Sequence, residues 1–98
     1  MKHVAYHRLA ASELVKSAEF YEQRRPELGG RFLDGVEAVL VRIRRWPESG
    51  RQEPEATLSF KVKRFPYRVI YRVQPDRIWI VAVAHLSRQP GYWRRRVD

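Results

Sequence analysis

The sequence contains no cysteine. That absence removes a disulfide framework, a thiolate zinc site and a cysteine nucleophile together, and it accords with a protein of the reducing cytoplasm. Long apolar runs are missing as well. Residues Met1 to Arg8 lack the apolar stretch of a secretory signal, and nowhere does an apolar run approach the length that crosses a bilayer. A soluble cytoplasmic protein without membrane association is the expectation. There is no glycine-rich phosphate loop, no carboxylate pair at metal spacing in the second half and no serine-nucleophile motif. The three histidines share no ligand spacing, so neither a metal nor any other cofactor is expected, and metal-dependent nuclease chemistry is disfavoured.

Acidic residues are scarce where basic ones are dense. Residues 1–49 hold nine Lys/Arg against seven Asp/Glu, a balance of +2, whereas residues 50–98 hold eleven against four, a balance of +7. Clustered like charges destabilise a free fold unless a partner neutralises them, which points to a polyanionic or acidic partner.

With 98 residues the chain suffices for one domain with one core, taken as residues 1–98. Val4 to His7 reads as a short strand. From Leu9 to about Arg25, Leu14, Ala18 and Tyr21 recur at helical spacing, with Glu13, Lys16, Glu19 and Glu22 largely away from them, until Pro26 stops the run. Gly29-Gly30 marks a turn. Phe32, Val36, Val39, Leu40 and Ile43 then trace a second amphipathic helix ending at Trp46-Pro47. After a polar loop the period becomes two. Leu58, Phe60 and Val62 alternate with Ser59, Lys61 and Lys63, and Tyr67, Val69, Tyr71 and Val73 alternate with Arg68, Ile70 and Arg72. Ile78 to His85 is apolar on both faces, as suits a strand flanked on each side. The order β-α-α-β-β-β predicts an α+β fold, with a helical hairpin packed on one face of a mostly antiparallel four-stranded sheet. The opposite face is left open, with the cations along it, and the tail from Leu86 to Asp98 carries no assignable element.

Three groups of residues carry possible chemistry. Lys61, Lys63, Arg64, Arg68, Arg72 and Arg88 form a basic set, and no carboxylate occurs between Glu55 and Asp76. A merely solvated face interleaves both signs, so a binding surface is the stronger reading, with Arg suited to bidentate phosphate contacts and Lys to a compact charge. His85, closing the last strand, is placed to act as an acid or base, or simply to bond the backbone at the edge of the core. Tyr92 and Trp93 lie in a tail with Arg94 and Arg95, a mixture that suits base stacking and phosphate contact.

These residues also resemble a family. Ala18-Glu19-Phe20-Tyr21-Glu22, then Leu28-Gly29, Phe32, Val36-Glu37, and Pro47 before Gly50, are similar to the helical hairpin of ParE-type toxins. Phe60 to Arg64, Phe65 to Tyr71, and Ile80 to His85 with Arg88 following resemble the RelE/ParE core. The resemblance covers nearly the whole chain and implies the toxin of a bacterial type II toxin–antitoxin system. RelE-like members cut messenger RNA on the ribosome without metal, using a Lys-x-Lys pair, sheet arginines and often a C-terminal Tyr. By resemblance those roles fall on Lys61, Lys63, Arg68, Arg88 and Tyr92. The cations orient the scissile phosphate while Tyr92, a Lys or His85 assists attack by the ribose 2′-hydroxyl. This ribosome-dependent endonuclease is the leading expectation. A ParE-like inhibitor of DNA gyrase is the alternative, and a non-toxic nucleic-acid-binding module a third. The resemblance further implies an acidic cognate antitoxin folding along the toxin's grooves, with oligomers formed only in its company.

Overall fold

A computed structural model describes residues 2–97, and its elements follow the two hydrophobic periods of the sequence. Strand β1 (His3–Tyr6) leads into helix α1 (Arg8–Arg24), and α2 (Leu28–Arg45) returns antiparallel to it. His7 starts α1: its Nδ1 accepts the Leu9 backbone N–H at 3.0 Å, satisfying one of the helix's orphan donors. The sequence reading puts the turn at Gly29-Gly30, but the chain turns at Arg25 to Glu27, with Glu27 in the left-handed region at φ 75°. Gly29 lies inside the first turn of α2 for a packing reason. A Cβ there would sit 2.5 Å from the Ala18 carbonyl oxygen, so only glycine lets the helices approach this closely. The Glu22 carboxylate then caps α2, accepting from Glu27 N and Gly29 N at 3.0 Å each.

The sheet has five strands, not four. Between the helices and the expected strands lies β2 (Arg51–Glu53), a three-residue edge strand within the stretch read as a polar loop. β3 (Thr57–Lys61), β4 (Tyr67–Val73) and β5 (Arg77–His85) complete a sheet of order β1-β5-β4-β3-β2. Only β1 with β5 is parallel; the other three pairings are antiparallel, as expected. β5 lies between β1 and β4, which explains its two apolar faces. A bulge falls where Ile70 pairs with Ala82 but Tyr71 pairs with Ile80, leaving Val81 unopposed.

The α2 stripe of Phe32, Val36, Val39, Leu40 and Ile43 is buried against Phe60, Val62, Tyr67, Val69, Tyr71, Ile78, Ile80 and Val83. Each fully buried aliphatic or aromatic side chain stabilises by roughly 1.5–3 kcal/mol. The second sheet face is not left open. The C-terminal segment, unassignable from sequence, folds over it and ends in a 3-10 turn, Arg94–Val97. Trp93, 3% exposed, seals Ile70, Val81, Ala82 and Ala84, with Trp79, Tyr92 and Val97 packed alongside.

Glu13 pins that segment. It belongs by sequence to the polar face of α1, yet it reaches the edge of β5 beyond the last residue of β1. There it accepts Val83 N at 3.0 Å, the Tyr92 hydroxyl at 2.8 Å and two Arg96 nitrogens at 2.9 Å. Arg96 donates also to Val81 O at 3.1 Å. β1 pairs with β5 only as far as Ile80, so these two side chains satisfy edge groups that no strand reaches.

Candidate functional site

The cations expected to form one hollow open onto two. Lys61 and Arg68 are cross-strand partners in the β3–β4 hairpin, but their side chains diverge. The Lys61 ammonium donates to Val62 O at 3.1 Å and Phe65 O at 3.0 Å, which draws it to the hairpin turn. Lys63 and Arg64 lie in that turn, beyond the end of β3, so strand alternation does not carry Lys63 onto the sheet face; Arg64 has φ 71°. These three line a cleft of about 890 Å³ beside α2, together with Arg25, Arg31 and Arg42. Its floor includes Leu28, Ala38, Val39 and Phe65, and Asp34 is the one carboxylate on its wall.

Arg68, His85, Arg88 and Arg94 line a second, smaller hollow of about 320 Å³ with Arg51 and Glu53 of β2. Arg68 Nε donates to Ser59 Oγ at 2.9 Å, and that hydroxyl donates to Glu53 Oε2 at 2.6 Å. Arg51 holds the same carboxylate oxygen through two nitrogens, at 3.0 and 2.8 Å. Burial, then the neighbouring Arg51 charge, lowers the Arg68 pKa from its ordinary value, with Glu53 acting the other way. His85 Nδ1 faces the Ser87 backbone N–H at 3.0 Å, so a neutral ring carries its proton on Nε2 and presents a donor rather than a base.

Tyr92 lines this hollow but is not free to act in it. Its hydroxyl is committed to Glu13, and the Arg88 guanidinium lies over its ring at 3.8 Å from the centroid. Burial and then the hydrogen bond and charge of Glu13 push the phenol well above its usual pKa of 10.0. Burial would lower the Arg96 pKa, but the bond and charge of Glu13 outweigh it and the net shift is upward.

The remaining sequence-picked residues divide. Trp93 is core, so it offers no face for stacking. Arg72 is occupied structurally: Nη1 donates to Val97 O at 3.0 Å and Nη2 to Glu55 O, tying β4 to the C-terminal segment. Arg94 and Arg95 are exposed. Sequence reasoning missed Arg51, Glu53, Glu13 and Arg96. A three-residue strand carries no readable period, and Glu13 meets Arg96 across a sequence separation of 83 that periodicity does not bridge. Among the described residues no three His, Asp or Glu side chains are grouped to hold a metal ion, and no helix is long and apolar enough to cross a membrane.

A family model described as the ParE toxin of the type II toxin–antitoxin system parDE matches residues 4–90. A solved structure, the chromosomal ParDE toxin–antitoxin system from P. aeruginosa, aligns with a TM-score of 0.73 at 18% identity, covering 87% of this chain and 96% of that one. At such low identity the likeness concerns the fold. No curated protein matches.

Proposed function

Because the chain belongs to the ParE toxin family of type II toxin–antitoxin systems, we propose that it is a toxin that inhibits DNA gyrase without cleaving nucleic acid, and that a cognate acidic antitoxin restrains it. One observation carries the choice over messenger cleavage. The side chains that would have to share a scissile phosphate are divided between two hollows, Lys61 and Lys63 in one, Arg68, His85 and Arg88 in the other. Two of the acid–base candidates have partners within the fold as well. Tyr92 donates to Glu13 and holds its proton tightly, and His85 Nδ1 is taken up by the Ser87 backbone N–H. General acid–base catalysis needs a titrating group within hydrogen-bond reach of the reacting oxygen, and in the hollow that holds Arg68 and Arg88 the Tyr92 hydroxyl is turned to Glu13 instead.

The antitoxin part of the reading is supported by the wider cleft. Its apolar floor and cationic rim suit an amphipathic segment whose carboxylates meet Arg31, Arg42 and Lys63 while its apolar side chains cover Val39 and Phe65.

Supercoiling assays with purified gyrase test the target. Stoichiometric toxin is expected to block supercoiling, and an acidic antitoxin to relieve the block. Primer extension on translated messenger forms the second arm. New 5′ ends together with unaffected supercoiling would replace this reading with the ribosome-dependent endonuclease.

A further inference from the structure

His7 stands where β1, α1, β5 and the C-terminal segment meet. Its backbone N–H donates to Ile80 O at 2.9 Å and its carbonyl accepts from Ala11 N at 3.0 Å, so it ends the strand and opens the helix. Nδ1 accepts the Leu9 backbone N–H at 3.0 Å, which makes the ring neutral with its proton on Nε2. The ring also rests edge-on against Trp79, centroids 6.0 Å apart, and Trp79 packs with Tyr92, Trp93 and Val97 of the C-terminal segment. A proton on Nδ1 would set N–H against N–H and undo the cap. The first turn of α1 holds no carboxylate to receive the new charge, and the helix dipole is positive at that end. Among the described residues the charges that act on the ring are Arg8 and Glu13 of α1 and Arg96 of the C-terminal segment. From β5 the Trp79 ring faces it, with the Arg77 guanidinium over that ring at 4.2 Å from the centroid. Glu13 is the one anion in this set, and it already holds Val83 N, Tyr92 and Arg96.

We infer that His7 is an acid-operated latch: its neutral ring keeps the first turn of α1 in place and, through Glu13 and Trp79, the C-terminal segment closed on the sheet, and a proton on Nδ1 loosens both. A charged ring repels Arg96, the segment's own anchor, and competes with Tyr92 and Arg96 for the Glu13 carboxylate. What opens is the second sheet face, with Ile70, Val81, Ala82 and Ala84 beneath Trp93. The smaller hollow then loses the wall that Tyr92, Trp93 and Arg94 supply. Burial first, then the Arg96 and Arg8 charges, lower the His7 pKa from its ordinary 6.5, with Glu13 acting the other way. The neutral ring's contribution is therefore complete above the unfolded value near 6.5 and is lost as the pH falls through the lower folded value. The latch goes beyond the toxin reading and requires neither gyrase nor an antitoxin.

Binding of a neutral hydrophobic dye to the folded protein tests it, followed from about pH 7.5 to about pH 5.5, a window where imidazoles titrate and ordinary carboxylates stay charged. His7→Asn supplies a cap that takes no proton, whereas His7→Ala has no cap at any pH. His3→Asn/His85→Asn removes the titration of the other two histidines. Dye binding by the parent is expected to rise about fivefold as the pH falls, the size set by the loss of one helix cap. The double variant should keep that rise, His7→Asn should stay flat at the parent's neutral level, and His7→Ala should be high throughout. Should His7→Ala not fold, the contrast between the parent and His7→Asn still decides. In the parent, the His7 Cε1–H resonance is expected to titrate together with the indole N–H of Trp93, while the indole of exposed Trp46 stays still. No rise in the parent, an equal rise in His7→Asn, a rise abolished by the double variant instead, or a titrating His7 with Trp93 unmoved overturns the latch.

Discussion

Replacing Glu13 with Gln removes one charge without changing shape, and the structure sets the size of the effect. The carboxylate accepts from Val83 N, Tyr92 and Arg96, the last through two nitrogens. The amide retains one acceptor and turns an NH2 group toward donors, so at least one bond is lost and Arg96 keeps only Val81 O as a firm partner. Breaking a fully buried pair by removing one partner costs about 3–5 kcal/mol. Side-chain exposures of 16% for Glu13 and 11% for Arg96 place this pair at the lower end, about 3 kcal/mol. For a domain of this size that corresponds to a fall in Tm of roughly 12–24 °C. Urea and thermal unfolding of Glu13→Gln, Arg96→Gln and the double variant close a cycle. The double variant is expected to lose clearly less than the sum of the singles, because each single strands the other's polar group. A loss below about 1 kcal/mol for Glu13→Gln, or strict additivity, refutes the argument that this cluster clamps the C-terminal segment.

Three further outcomes follow from the same coordinates. The raised Tyr92 pKa means that its contribution to stability is complete below the unfolded phenol value near 10 and declines as the pH rises above it toward the folded value. Urea midpoints taken through that range should fall more steeply for the parent than for Tyr92→Phe. Gly29→Ala drives a Cβ against the backbone oxygen of Ala18, which no rotamer relieves, and is expected to destabilise by about 1–3 kcal/mol, whereas Gly30→Ala, with open space around it, should be neutral or stabilising by up to about 1 kcal/mol. Chemical denaturation of the two variants separates these cases. Trp93→Ala uncovers Ile70, Ala82 and Ala84 and is expected to cost about 3–5 kcal/mol and to increase binding of a hydrophobic dye in native conditions. Unchanged dye binding would place the segment's contribution elsewhere.

Periodicity made most of the fold legible. The α2 stripe is buried residue for residue, because a helix packed on a sheet needs one continuous apolar face. The alternation in β3 and β4 survives for the same reason, with Phe60, Val69 and Tyr71 turned to the hairpin side. β2 is too short to show a period and exists only through pairing with β3. Gly29-Gly30 was misplaced as a turn because a glycine required for helix contact and a glycine required for φ look alike in one sequence. The candidate site was half legible. Arg68, His85 and Arg88 share a hollow, but Lys61 is drawn to its own turn by two carbonyls, and Tyr92 and Trp93 are spent on the fold. Such outcomes depend on where the last residues dock, which charge and alternation do not encode.

The parallel pairing of His3–Tyr6 with β5 joins the first strand of the chain to its last. During synthesis the helical hairpin therefore emerges with nothing to cover: Phe32, Val36 and Ile43 stay wet until β3 to β5 have left the ribosome. The first strand meanwhile waits for a neighbour more than seventy residues downstream. Folding is consequently held back until β5 has emerged, and the smaller hollow, walled by residues from Arg51 to Arg94, comes into being only after the segment that follows β5 is available to close it.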